Sequence, residues 1–223
     1  FIPGGGSIET YDFCIENDYA YSYLSFTGYK RAQLLMDGYW NRVDEMGADR
    51  SPYRAGFAQT ICVAETDEEA KELYAEHVNY FFNRCLHVYP GYADAPGYRT
   101  VKTIKKGALS QYTRSSLGSL GRLTWEELVD DGHIIAGSPE TVLRHMKELI
   151  TGLKVGNIFC LLHIGNMTNE KTNLSTRLFA EEVMPKLQNM WPEWEEEERF
   201  WIHPLEKRLE TSVPLAATVE AAQ

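Results

Sequence analysis

The chain has 223 residues, 43% hydrophobic and 24% charged, the balance of a soluble globular protein with enough apolar material for a sizeable core. Its 22 Lys and Arg stand against 32 Asp and Glu, a formal net charge of -10, which argues against nucleic acid or an anionic membrane surface as a partner, because both are held through a basic excess. No apolar run approaches the ~20 residues of a membrane-spanning helix and no basic-then-apolar leader precedes Phe1, so the chain reads as cytoplasmic.

Phe1-Ile2-Pro3 carries no initiator Met and reads as the end of a strand, as though the chain were truncated. Gly4 to Gly6 make a turn, and Ser7 caps a helix expected through about Asn17. Tyr19 to Phe26 alternates aromatic and small residues and suits a strand. Arg54 to Ala64 is a clearer strand, with Phe57, Thr60, Ile61 and Val63 supplying β-branched and aromatic character. Thr66 and Glu69 then form a capping box before a helix whose stripe is Ala70, Leu73, Tyr74, His77 and Val78.

Regularity fails from about Tyr89 to Asp131, where prolines and glycines are interleaved with Lys102, Lys105, Lys106 and Arg114. Two readings stand for so long a connection: a lid over a site, or a variable surface insertion. Order returns at Ile134 to Gly137, followed by Ser138 as N-cap and Pro139 at the first helical position. Val142, Leu143, Met146, Leu149 and Ile150 make that helix's buried stripe, and Gly152 marks its stop. Val155 to Ile164 reads as a parallel strand covered on both faces. A last helix, Ser175 to about Met190, directs Leu178, Phe179, Val183 and Leu187 inward. Beyond Trp191, the acidic run Glu193 to Glu198 reads as a solvated helix carrying Trp191, Trp194 and Trp201, and Thr211 to Gln223 as a loose tail. The recurring strand, turn and helix mark an α/β fold, with a main unit over 1–190 and an extension over 191–223.

Cys14, Cys62, Cys85 and Cys160 are scattered through apolar stretches, as reduced core thiols are, and lack the paired spacing of structural zinc ligands. His77, His87, His133, His145 and His203 likewise show no metal-ligand spacing. No Gly-x-Ser-x-Gly elbow supports a serine hydrolase.

Three segments, in order, carry a family likeness. They are Pro3-Gly4-Gly5-Gly6-Ser7-Ile8-Glu9-Thr10, Ile135-Ala136-Gly137-Ser138-Pro139-Glu140-Thr141-Val142, and Leu178-Phe179-Ala180-Glu181-Glu182-Val183-Met184-Pro185. With these the chain resembles the C-terminal portion of the bacterial luciferase-like, flavin-dependent monooxygenases, which are TIM barrels of the (β/α)8 type. The resemblance implies the last three or four strand-helix units of such a barrel, an insertion at about 89–131 over the flavin, and an acidic C-terminal helical extension. A complete barrel has eight strands and ~250 residues, so the earlier strands would lie elsewhere.

The resemblance also implies the chemistry: reduced FMN and O2 used to oxygenate a small organic substrate of aldehyde, alkane or ketone type, with a flavin reductase supplying the reduced cofactor and a homo-oligomer when the protein is full length. Alternatives on the same resemblance are an F420-dependent hydride-transfer enzyme and a non-catalytic flavin-binding paralogue. A glycine turn that opens a helix presents bare N–H groups and the positive helix end to a phosphate dianion. Gly5 and Gly6 would let the backbone approach it, and family members use a Ser and a Thr at the positions of Ser7 and Thr10 to touch it. Gly6 departs from members that carry an acidic residue there. Locally, the same Gly-Gly-Gly-Ser also reads as a plain helix start or a linker. His163, at the end of the last apolar strand, is either an acid/base or flavin-contacting group or a hydrogen-bonded structural histidine. Asn166 and Met167 follow it in a loop that a barrel would place beside flavin or substrate. The other catalytic residues of the family lie on earlier strands.

Overall fold

A computed structural model describes residues 1–24, 28–85, 123–197 and 199–200. Five strands among them form one parallel sheet: β1 (Ile2–Pro3), β2 (Tyr21–Leu24), β3 (Ala55–Val63), β4 (Ile134–Gly137) and β5 (Asn157–Leu161). β3 pairs with β2 along Ala55 to Ala58 and with β5 along Gly56 to Thr60. Since both neighbours use the same residues, they lie on opposite edges, and β1-β2-β3-β5 stand side by side in chain order. β4 pairs with the last residues of β3, from Thr60 to Val63. All C-terminal strand ends therefore point one way, as in any parallel α/β sheet, and the described residues leave the sheet open.

The strand register fixes the two faces. Ile2, Tyr21, Tyr23, Ala55, Phe57, Ile158 and Cys160 share one face and join the larger core. That face is covered by α1 (Ile8–Glu16), α2 (Tyr29–Glu45) and α5 (Pro139–Leu153), which contribute Cys14, Met36, Tyr39, Trp40, Met146 and Leu149, each at most 2% exposed. On the opposite face Phe1, Leu24, Phe159 and Leu161 are all exposed, with the Phe1 and Phe159 rings edge to face at 5.0 Å. β5 is thus shorter than Val155 to Ile164 and covered on one side only, which corrects the expectation of a doubly buried strand.

A second core caps the end of β3. In it Cys62 and Ala64 pack with Ala70, Tyr74 and Val78 of α3 (Asp67–Tyr80), with Trp125 and Leu128 of α4 (Trp125–Asp130), and with Ile134 and Ala136. The expected 89–131 insertion falls mostly outside the described residues. Its last part is a core helix, begun by a full capping box between Thr124 and Glu127. At α3 the Thr66 hydroxyl caps the Glu69 N–H, but the Glu69 carboxylate turns to the N–H of Glu65, one residue earlier than the sequence suggests.

Other boundaries also move. α2 was not anticipated at all. α5 runs past Gly152 to Leu153 and ends on Lys154 in the left-handed region at φ 54. The last helix starts earlier, as α6 (Asn169–Leu178) capped by Thr168, then widens to a π turn over Phe179–Val183 and tightens to a 3-10 turn over Met184–Lys186. Pro185 has no N–H to continue the α ladder, so regular helix cannot persist there. Among its described residues the acidic segment holds a single 3-10 turn, Pro192–Trp194, and then bends, in place of the expected helix; Trp201 and the tail lie outside the described residues. Trp191 donates to the Val155 carbonyl at 3.1 Å, and Trp194 packs by Ala20, Tyr53 and Phe200. Of the cysteines, Cys14 and Cys62 are buried and Cys160 is half-buried, but Cys85 is exposed, contrary to its apolar surroundings in sequence.

Candidate functional site at the C-terminal strand ends

Three loops meet the C-terminal edge of the sheet. The first joins β1 to α1. The Tyr21 phenol, fully buried and kept protonated by that burial, donates to the carbonyls of Gly4 and Gly5 at 3.3 Å each, pinning the turn. The Ser7 hydroxyl accepts from the Thr10 N–H at 3.2 Å and lies 3.0 Å from the Thr10 hydroxyl, so both side chains converge one helical turn apart.

The Gly4 N–H is used by Ser22, and those of Thr10 and Tyr11 by Ser7. Between them, the N–H groups of Gly5, Gly6, Ser7, Ile8 and Glu9 make no hydrogen bond among the described residues. The glycines differ in role. A side chain at Gly5 would meet nothing within 4 Å, whereas one at Gly4 would meet Thr10 Cγ2 at 2.5 Å and one at Gly6 would collide with the Leu35 side chain. Open space therefore faces Gly5, while side chains at Gly4 and Gly6 would push the ends of Thr10 and Leu35 aside. An anion of phosphate size suits this turn: five consecutive donors, two hydroxyls and a positive helix end.

The N-terminus of α5, within the Gly-Ser-Pro-Glu motif, is arranged differently. Asp67 accepts from the Ser138 N–H at 2.7 Å and from the Thr141 hydroxyl at 2.9 Å. Burial pushes the Asp67 carboxyl up, but these hydrogen bonds outweigh it and hold it below the usual carboxylate range. The protein's own carboxylate thus fills this anion position. The motif is an anchor between α3 and α5, and sequence reading missed Asp67 because its partners are 71 and 74 residues away.

The third loop follows β5. His163 is exposed, and its Nδ1 lies 2.9 Å from the Thr172 hydroxyl. Met167 is only 5% exposed and packs in the second core. Asn166 is exposed, but its Oδ1 lies 2.7 Å from Nδ1 of the buried His77, and His77 Nε2 lies 2.9 Å from Lys171 Nζ. Gly165, at φ 59, passes so close to the His77 carbonyl that a side chain would overlap it. The structure therefore brings Ser7 and Thr10 together on one loop and puts His163 and Asn166 on another, separated by β2 and β3. Among the described residues no cluster of His, Cys, Asp or Glu could hold a metal, and no helix is long and apolar enough to cross a membrane.

No family's sequence pattern matches the chain, and no curated protein does. Solved structures do. The chain is similar to the oxygenating constituent of 3,6-diketocamphane monooxygenase from Pseudomonas putida, a type II Baeyer-Villiger monooxygenase solved in complex with FMN (21% identity, 83% of this chain and 47% of that one, TM-score 0.53). It is also similar to a monooxygenase from Streptomyces bottropensis (14% identity, 82% and 46%, TM-score 0.53). A third is the EDTA monooxygenase of Chelativorans sp. BNC1 (15% identity, 94% and 48%, TM-score 0.50). At these identities the likeness is one of fold, and the chain spans about half the length of each of these structures. The likeness shows an α/β fold with a parallel sheet, shared over about half the length of these monooxygenase structures.

Proposed function

We propose that the chain is the flavin-phosphate-holding part of a luciferase-like, FMN-dependent monooxygenase that oxygenates a small aldehyde, alkane or ketone. The observation that carries this reading is the run of five backbone donors, Gly5 to Glu9, unpaired among the described residues, beside the paired hydroxyls of Ser7 and Thr10. The motif order in the sequence and the fold shared with solved monooxygenases support it. In this reading the Gly5 to Glu9 N–H groups and the two hydroxyls hold the phosphate, and Tyr21 keeps the turn in the receiving conformation. FMN, when bound in its reduced form, supplies the electrons and the oxygen activation. Leu24, Phe159 and Leu161 give the open sheet face an apolar lining, which keeps water from bound flavin once the face is covered. A flavin reductase supplies the reduced cofactor, and the finished enzyme is an oligomer.

Titration with FMN and with riboflavin tests the phosphate claim. Tighter binding of FMN by at least tenfold, about 1.4 kcal/mol, is the expected result. Equal affinities for the two flavins contradict the assignment, and binding of F420 in preference to FMN moves the chain to hydride-transfer chemistry.

A further inference from the structure

The contacts of His77 carry a direction that the rest of the site does not explain. Lys171 Nζ can only donate, and it lies 2.9 Å from His77 Nε2 and 2.8 Å from the Leu73 carbonyl. His77 Nε2 must then be the acceptor, which leaves the imidazole proton on Nδ1. That proton is 2.7 Å from Asn166, so the amide has to present its oxygen, and the usual ambiguity between amide oxygen and nitrogen is resolved by the lysine. Asn166 is exposed, and its amide nitrogen has no partner among the described residues. His77 is 7% exposed and comes from α3, Lys171 from α6, and Asn166 from the loop after β5, so three segments fix one side chain. Gly165 lies against the His77 carbonyl in the same place, which keeps the loop backbone close to the imidazole.

We propose that Asn166 is a flavin-ring contact, a hydrogen-bond donor toward a carbonyl oxygen of the isoalloxazine, and that His77 and Lys171 are the positioning residues that fix its polarity. The assignment rests on the reading of the β1–α1 turn as the phosphate site. Across the sheet, β5 stands three strand spacings from β1, roughly 14 Å, a span suited to a ligand with its phosphate at one side and its ring at the other.

Two measurements test it, both with riboflavin as well as FMN, because riboflavin has no phosphate and so does not depend on Ser7 and Thr10. The first is the tautomer of His77, read by long-range proton–nitrogen correlation on 15N-histidine-labelled chain and assigned with His77→Gln. A proton on Nδ1 is expected, and one on Nε2 overturns the proposal. The second is flavin affinity. Asn166→Ala and Asn166→Asp weaken both flavins, the alanine variant by about three- to tenfold, the size of one lost hydrogen bond. Lys171→Met weakens both to a similar degree, adds little to Asn166→Ala, and mixes the His77 tautomers while leaving the fold intact by circular dichroism. If the Asn166 variants bind riboflavin like the parent chain, Asn166 has no such role even where FMN retains its phosphate preference. If both flavins weaken but FMN has no advantage over riboflavin, the phosphate reading fails and the Asn166 contact stands. A parent chain that binds neither flavin overturns both.

Discussion

The strongest stability prediction concerns Asp49. Arg54 is buried, its side chain 4% exposed, and its Nη2 donates to Asp49 and to Asp18 at 2.9 Å each while its guanidinium lies 5.1 Å from the Phe200 ring. Asp49 also accepts from Arg199 at 2.9 Å and from the Ser51 N–H at 3.1 Å. Asp49→Asn keeps the shape and removes the charge. Orphaning a buried ion completely costs about 3–5 kcal/mol, and here Asp18 still pairs with Arg54, so a loss of about 2 kcal/mol is expected. For a chain of this size that is a fall in Tm of roughly 4–8 °C, measured by calorimetry or by circular dichroism on heating. The effect is pH-dependent with a definite sign. Burial pushes the Asp49 carboxyl up, but hydrogen bonds from Arg54, Arg199 and the Ser51 N–H outweigh it and hold it well below the usual carboxylate range. A depressed carboxyl stabilises fully above its unfolded value of about 3.9 and loses that contribution as the pH falls toward the folded value. The gap between parent and variant is therefore flat from about pH 5 upward and shrinks below about pH 4. A Tm change under 1 °C at pH 7, or a gap that widens in acid, refutes the reasoning.

Three further outcomes follow from single contacts. The buried Ser175 hydroxyl accepts from the Val63 N–H at 2.9 Å, so Ser175→Ala strands a buried donor and lowers the urea midpoint by an amount equivalent to about 1–3 kcal/mol; an unchanged midpoint counts against this. Gly165→Ala meets both the left-handed backbone at φ 59 and the His77 carbonyl, and destabilises by at least about 1 kcal/mol in the same assay. In thiol titration with a chromogenic disulfide, Cys85 reacts first. Cys62, whose burial pushes its thiol up to about 12, reacts only on unfolding, and comparable rates for the two would contradict the burial pattern.

What the sequence discloses depends on whether a signal is local. Ser7 with α1, the β3 strand, and Ser138-Pro139 with α5 are legible because cap, propensity and periodicity agree within a dozen residues. α2 has an equally regular stripe of Tyr29, Ala32, Met36, Tyr39 and Val43, yet it starts on Gly28 at φ 84, which offers no capping side chain, and carries Gly38 in its interior. The burial of β5 is not legible because an apolar run does not say which face finds a partner. Phe159 and Leu161 lie on the face that helices α1, α2 and α5 do not cover. Within the candidate site the Ser7 and Thr10 pair is local and readable. The polar link from Lys171 through His77 to Asn166 joins residues 94 and 89 apart, so only the folded chain assembles it.

The central claim is that the turn from Gly5 to Thr10 receives a flavin phosphate, and the most direct measurement is the ratio of FMN to riboflavin affinity in a Ser7→Ala, Thr10→Ala double variant. Loss of both hydroxyls is expected to cut the FMN preference by about tenfold or more, at about 1 kcal/mol or slightly less per hydrogen bond, while riboflavin binding stays as in the parent chain. A double variant that keeps the parent's full preference for FMN would show that the phosphate is held elsewhere.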